Sequence, residues 1–253
     1  MYNWEGASPL PSYFNPPDFL PNHFLENIAD PRFSNFDTEK RYRKNLKSQP
    51  DDWHYRTKEV LYQTNSKGYR APEWDKINWG RAVVILGCSN VTGIGLAEDE
   101  TISHQLSLML NRPVINLGVP ASSIECSFYN SVILAESYPT PYAVVNIWTN
   151  TDRAIYFHKN HKEDLGIWTP QNPFFKEFIR DPLHPFMQAR FIAMASRQMW
   201  KDKSRYFSAS FFEDAAHYMQ CDYIDIDNGA RDLVHPGRKN AIEMASLIAQ
   251  NIS

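Results

Sequence analysis

The sequence predicts an α/β fold, a three-layer α/β/α arrangement around a parallel sheet, preceded by an irregular extension rich in proline and aromatic residues. Three observations lead there. Short unbroken apolar runs, such as Ala82-Val83-Val84-Ile85-Leu86 and Ala143-Val144-Val145-Asn146-Ile147-Trp148, have the length and character of strands buried on both faces. Segments with apolar residues at helical spacing alternate with these runs, as right-handed crossovers over a parallel sheet require. At 253 residues, 43% of them hydrophobic, the chain is long enough for one core and an appendage.

Taken in order, strands are expected over 82–86, 114–117, 143–148, 205–210 and 223–226. Helices are expected between and after them, over 100–110, 124–138, 185–200, 213–220 and 240–250. Residues 1–80 differ in character and hold 8 of the 17 prolines. Proline fixes φ and removes a backbone donor, so this stretch should be irregular, while its many aromatics argue against simple disorder. It reads as an arm that packs across the domain of residues 81–253 or onto a partner, as in a homo-oligomer or a virion. Within it, residues 59–64 have strand propensity and Asn65-Ser66-Lys67-Gly68 is a turn sequence, which predicts a short hairpin.

Composition excludes several classes of function. A formal charge of −3 gives no footprint for nucleic acid, and the basic stretch Lys40 to Lys47 reads as a solvated surface. No apolar run approaches the ~18 residues of a membrane span, and no charged-then-apolar leader follows Met1, so a cytoplasmic or virion-associated location is expected. Cys88, Cys126 and Cys221 are odd in number and widely spaced, which implies neither a disulfide framework nor a zinc site. His158 and His161 have Glu163 and Asp164 nearby but no third ligand at a diagnostic spacing, and the segment looks like a polar loop. No metal or cofactor is expected.

Ligands of open parallel sheets sit beyond the carboxyl ends of the strands. One such end carries Gly87-Cys88-Ser89-Asn90-Val91-Thr92-Gly93-Ile94-Gly95. Alone, this segment fits a nucleophile turn, a phosphate-cradling loop or a plain structural turn, although the spacings of the common nucleotide fingerprints are absent. Asp232-Leu233-Val234-His235-Pro236 stands between the last strand and the last helix. A serine hydroxyl needs an imidazole to take its proton, and the imidazole needs a partner that fixes its tautomer. Asp and His three residues apart can meet in that way, and can equally be a surface Asp in a capping loop.

Together the two segments resemble the SGNH/GDSL hydrolases, a serine esterase family, over residues 81–252. The family's first block stands here as Gly87-Cys88-Ser89 with Gly93, its second-block glycine as Gly118, its third-block asparagine as Asn150, and its Asp-x-x-His-Pro block as Asp232 to Pro236. Cys88 replaces the usual aspartate, and Trp148 and Thr151 replace residues usual around the asparagine. The resemblance implies a flavodoxin-like sheet with Ser89 as nucleophile, His235 as base and Asp232 as its partner. It also implies an oxyanion hole made of the N–H groups of Ser89 and Gly118 and the Asn150 amide. Cys88 as nucleophile and Asn146 in place of Asn150 are the weaker alternatives. Arg153, close by in sequence, is a candidate for pairing with an anionic substrate group.

Within the family's range, acyl esters are the expected substrates, O-acetyl groups on carbohydrate above all. Trp168, Phe174, Phe175 and Phe178 could wall the site or simply fill a core. The extension and the Gly-Cys-Ser variant look similar to phage or environmental bacterial members. A second expectation is therefore an inactive relative with a structural or carbohydrate-binding role in a larger assembly such as a phage particle. A flavodoxin-like nucleotide binder is a third.

Overall fold

The computed structural model describes residues 18–26, 28–158 and 161–253. It is an α/β structure built on a five-stranded, wholly parallel sheet. The strands are β1 (Val83–Gly87), β2 (Val114–Gly118), β3 (Ala143–Trp148), β6 (Arg205–Ser210) and β7 (Asp222–Tyr223), in the spatial order β2-β1-β3-β6-β7. An antiparallel pair, β4 (Ala154–His158) and β5 (His161–Leu165), stands outside this sheet. The helices are α1 (Glu39–Ser48), α2 (Ser89–Thr92), α3 (Ile102–Leu110), α4 (Ile124–Ser137), α5 (Pro173–Phe178), α6 (Leu183–Trp200), α7 (Glu213–Met219) and α8 (Arg238–Ile252). Among the described residues, no helix is long and apolar enough to cross a membrane.

Each strand of the sheet centre serves two cores, because successive side chains point to opposite faces. Val83, Ile85, Val145 and Ile147 pack with Ile102 and Leu106 of α3 and Met244, Ile248 and Ile252 of α8. Val84, Leu86 and Val144 face the other way, onto Ile133 and Leu134 of α4 and Trp200 of α6. This two-sided burial is why the strands read as continuous apolar runs. The register sets Gly87 opposite Gly118 on one side and Ile147 on the other, so β2, β1 and β3 end at one level.

The described part of the extension lies on the chain's own domain; residues 1–17 are outside it. Phe19 stacks on Tyr138 at 4.7 Å, and Leu20 N donates to Asn130 Oδ1 (2.9 Å). The turn at Asn65 forms, with Asn65 Oδ1 accepting from the N–H groups of Lys67 and Tyr69. The expected hairpin does not, because residues 59–64 take part in no ladder. Residues 40–47, expected to be a solvated surface, lie in α1. Thr38 caps it by accepting from Arg41 N (3.2 Å), and Asn45 is buried against the domain.

Two further expectations change. The strand expected over 223–226 shrinks to Asp222–Tyr223, because Asn240 captures the backbone beyond it: its Oδ1 accepts from Asp227 N and its Nδ2 donates to Asp225 O. The segment read as a polar loop around 158–164 is the β4–β5 ladder instead, with Lys162 and Asp164 paired in its buried side at 2.7 Å. The side chains of His158 and His161 lie outside the described residues.

Candidate active site

Ser89 opens α2 immediately after β1, with Cys88 between strand and helix. The turn is held from within, by Thr92 Oγ1 and Val91 N donating to Cys88 O, and from β2, by Asn116 Nδ2 donating to Val91 O (2.8 Å). Asn116 thus holds the loop from the neighbouring strand. Gly118 is needed for this close packing, since a Cβ there would lie 2.4 Å from Thr92 N. The N–H groups of Ser89 and Asn90, at the first turn of a helix, have no intrahelical acceptor. Ser89 is 5% exposed, and its hydroxyl lies 3.9 Å from Cys88 Sγ.

Asp232 and His235 meet as their spacing allows. His235 Nδ1 lies 2.6 Å from Asp232 Oδ2, while Asp232 Oδ1 accepts the N–H groups of Val234 and His235, each at 3.1 Å. The tight turn places Leu233 at φ 59°, a left-handed conformation unfavourable for a residue with a branched side chain. Burial would push the Asp232 carboxyl up, but the His235 hydrogen bond, the ring's charge and the two backbone donors hold it below its ordinary value. With Nδ1 directed at the carboxylate, Nε2 is the ring's second functional nitrogen.

The two loops touch. Arg231 N donates to Gly95 O (3.0 Å), and Gly95, at φ 78°, leaves only 2.9 Å between a would-be Cβ and Ala230. No hydrogen bond joins Ser89 Oγ to the His235 ring. Of the N–H groups expected to serve as oxyanion donors, that of Gly118 is bonded to Asn116 Oδ1 (2.9 Å). Asn150 lies two residues past β3 and half-buried; its Oδ1 accepts from Thr151 N, which leaves Nδ2 as its free donor group. Asn146 is fully buried inside β3, with neither amide atom hydrogen-bonded among the described residues.

Arg153 spans the same carboxyl edge, donating to Ser122 O (3.4 Å) with its guanidinium over the rings of Trp168 (5.3 Å) and Phe212 (6.0 Å). Of the aromatics beyond it, Phe175 and Phe178 are core, packed with Ala154 and Leu165, whereas Trp168 and Phe174 are exposed.

Sequence reasoning missed a layer that the extension contributes. Asp37 Oδ2 takes two bonds from Arg231 and one from Tyr62 Oη, and Tyr62 Oη in turn accepts Gly95 N (2.8 Å). Asn45 Nδ2 donates to Arg231 O, Asn22 Nδ2 to Gly118 O, and Arg41 Nη1 lies 3.5 Å from Asp232 Oδ2. The signal for the helix carrying Arg41 and Asn45 was Thr38 followed by Glu39, with Lys47 at its far end.

No protein-family model matches the chain, and no curated protein matches it. Solved structures do. One is the acetyl xylan esterase Est2A from Butyrivibrio proteoclasticus, with 10% identity, a TM-score of 0.44, and 69% of this chain and 63% of that chain covered. Another is a putative lipolytic protein of the G-D-S-L family from Desulfitobacterium hafniense, at 12% identity and a TM-score of 0.42, covering 67% and 98%. A third is AlinE4, an SGNH-hydrolase family esterase, at 13% identity and a TM-score of 0.35, covering 59% and 77%. The chain spans less than two thirds of the length of the first of these.

Proposed function

We propose that the protein is a serine esterase that hydrolyses acyl esters, O-acetyl esters of carbohydrate in particular. The observation that carries this reading is the Asp232–His235 pair at 2.6 Å, on a loop bonded to the one that follows Ser89. In this reading Ser89 Oγ attacks the ester carbonyl while His235 Nε2 takes its proton. The tetrahedral intermediate collapses, and the imidazolium returns the proton to the leaving alcohol. Water then repeats the sequence on the acyl-enzyme. Asp232 keeps Nδ1 protonated and stabilises the charged ring. The Ser89 N–H and Asn150 Nδ2 receive the developing oxyanion. The reading requires Ser89 Oγ to leave Cys88 and reach the imidazole when substrate binds; such hydrogen bonds commonly tighten only in the substrate complex.

Hydrolysis of p-nitrophenyl acetate, and release of acetate from an acetylated xylan, should occur with the wild type and be lost in Ser89→Ala. Equal rates for the two proteins would end the reading. A specific observation favours a second one, an inactive carbohydrate-binding or structural module: Ser89 is almost fully covered and its hydroxyl neighbours Cys88 rather than His235. That module would retain polysaccharide in affinity electrophoresis without releasing acetate.

A further inference from the structure

Charged groups stand on several elements around the loop that carries Asp232 and His235. Its own loop supplies Arg231, whose guanidinium is bonded to Asp37, and Asp227, whose Oδ1 accepts from Gly229 N and Gly237 N. A cavity of about 310 Å³ is lined by Asp227 of the same loop, by Arg238 and Lys239 at the start of α8, and by His54 of the extension. From the extension come Asp37 and Arg41.

Arg41 differs from the rest. Its Nη1 lies 3.5 Å from Asp232 Oδ2, the same oxygen that meets His235 Nδ1. The side chain is 43% exposed yet anchored, because Nη1 donates to Phe36 O (3.0 Å), and one turn later Asn45 fastens the helix to Arg231 O. We propose that Arg41 is a positioning residue for the acid–base pair, sharing the Asp232 carboxylate oxygen with His235. A cation beside the carboxylate weakens its attraction for an imidazolium, so the ring gives up its proton more readily. Solvent screens a half-exposed arginine, which makes the effect modest and dependent on salt. Its consequence for catalysis rests on the esterase reading; the electrostatics do not. The extension is on this view part of the site, because the helix that brings Arg41 precedes the sheet.

The test uses the full chain. In Arg41→Gln, the acidic limb of the pH profile of kcat/KM for p-nitrophenyl acetate moves up by roughly 0.3–0.7 pH unit at low salt and by less at high salt. Arg41→Lys keeps the charge and stays near the wild-type profile. Arg43→Gln, on the same helix but paired with Glu39, leaves the limb unmoved. The His235 ring, followed by NMR in the Ser89→Ala background, keeps its proton to higher pH when Arg41→Gln is added. An unmoved ring titration, a Lys variant that behaves as Gln does, or an equal shift in Arg43→Gln would overturn the proposal. If the wild type hydrolyses no ester, the esterase reading fails, and the ring titration still decides the role of Arg41.

Discussion

Arg231 Nε and Nη2 both bond to Asp37 Oδ2, at 2.9 and 2.6 Å, joining residues 194 positions apart beside the proposed catalytic aspartate. The guanidinium lies over the rings of Phe33 (5.1 Å) and Tyr42 (5.0 Å), and its Nη2 also donates to Arg32 O. Burial pushes the Asp37 carboxyl above its ordinary value despite the facing arginine, so the pair is costly to assemble. Removing one partner leaves the other buried without compensation. Asp37→Ala should therefore destabilise the protein by about 3–5 kcal/mol in urea unfolding. A loss within ~0.5 kcal/mol would show that this pair does not anchor the extension.

The pH dependence of Asp232 has a definite sign. Its folded carboxyl stands below the ordinary value, so the stability it contributes is complete above that value and disappears as pH falls through the folded one. The stability advantage of wild type over Asp232→Asn should thus be full at about pH 6 and shrink below about pH 4. Denaturant melts at several pH values check this, and an advantage that grows in acid would refute it. If His235 acts as the base for Ser89, turnover of p-nitrophenyl acetate in the same variant should fall about 10⁴-fold, because the imidazole would present the wrong tautomer.

Asn150 and Asn146 can be told apart by opposite effects. If Asn150 Nδ2 receives the oxyanion, Asn150→Ala lowers kcat about 10²–10³-fold with little change in KM. Among the described residues Asn146 has no hydrogen-bond partner, and burying its amide without one is unfavourable. Asn146→Leu should leave kcat within about threefold and raise stability by about 1 kcal/mol. Loss of kcat in Asn146→Leu with none in Asn150→Ala would exchange their roles.

The sequence made the sheet legible because β1 and β3 are buried on both faces, which forces unbroken apolar runs. It also made the Asp232–His235 meeting legible, because those residues are three apart and the contact is local. What escaped has a common cause. Helix α1 presents charge on most of its surface and docks through Asn45, Arg41 and Tyr42, so no apolar stripe marks it. In β5 the buried side is Lys162 paired with Asp164, which reads as solvated in one dimension. Asp37, Tyr62 and Arg231 meet across long stretches of chain, and Asn116 closes the Ser89 turn from a neighbouring strand. Each is a polar side chain satisfied by a distant partner, and such pairing leaves no periodicity to read.

That dependence on distant partners makes Gly118 a sharp test of how the site is held. A methyl group there would meet Thr92 N at 2.4 Å and Thr92 Oγ1 at 2.9 Å, and the first contact is with backbone. The end of α2 must then move away from β2, lengthening the Asn116–Val91 bond that closes the turn. Gly118→Ala should cost about 1–3 kcal/mol of stability through this overpacking. If Ser89 acts from that turn, a small displacement of the hydroxyl lowers kcat by roughly 10²-fold, and more than it raises KM. Unfolding curves and Michaelis kinetics on the one variant separate the two effects: a stability loss with unchanged kcat would mean that the nucleophile does not depend on the packing of α2 against β2.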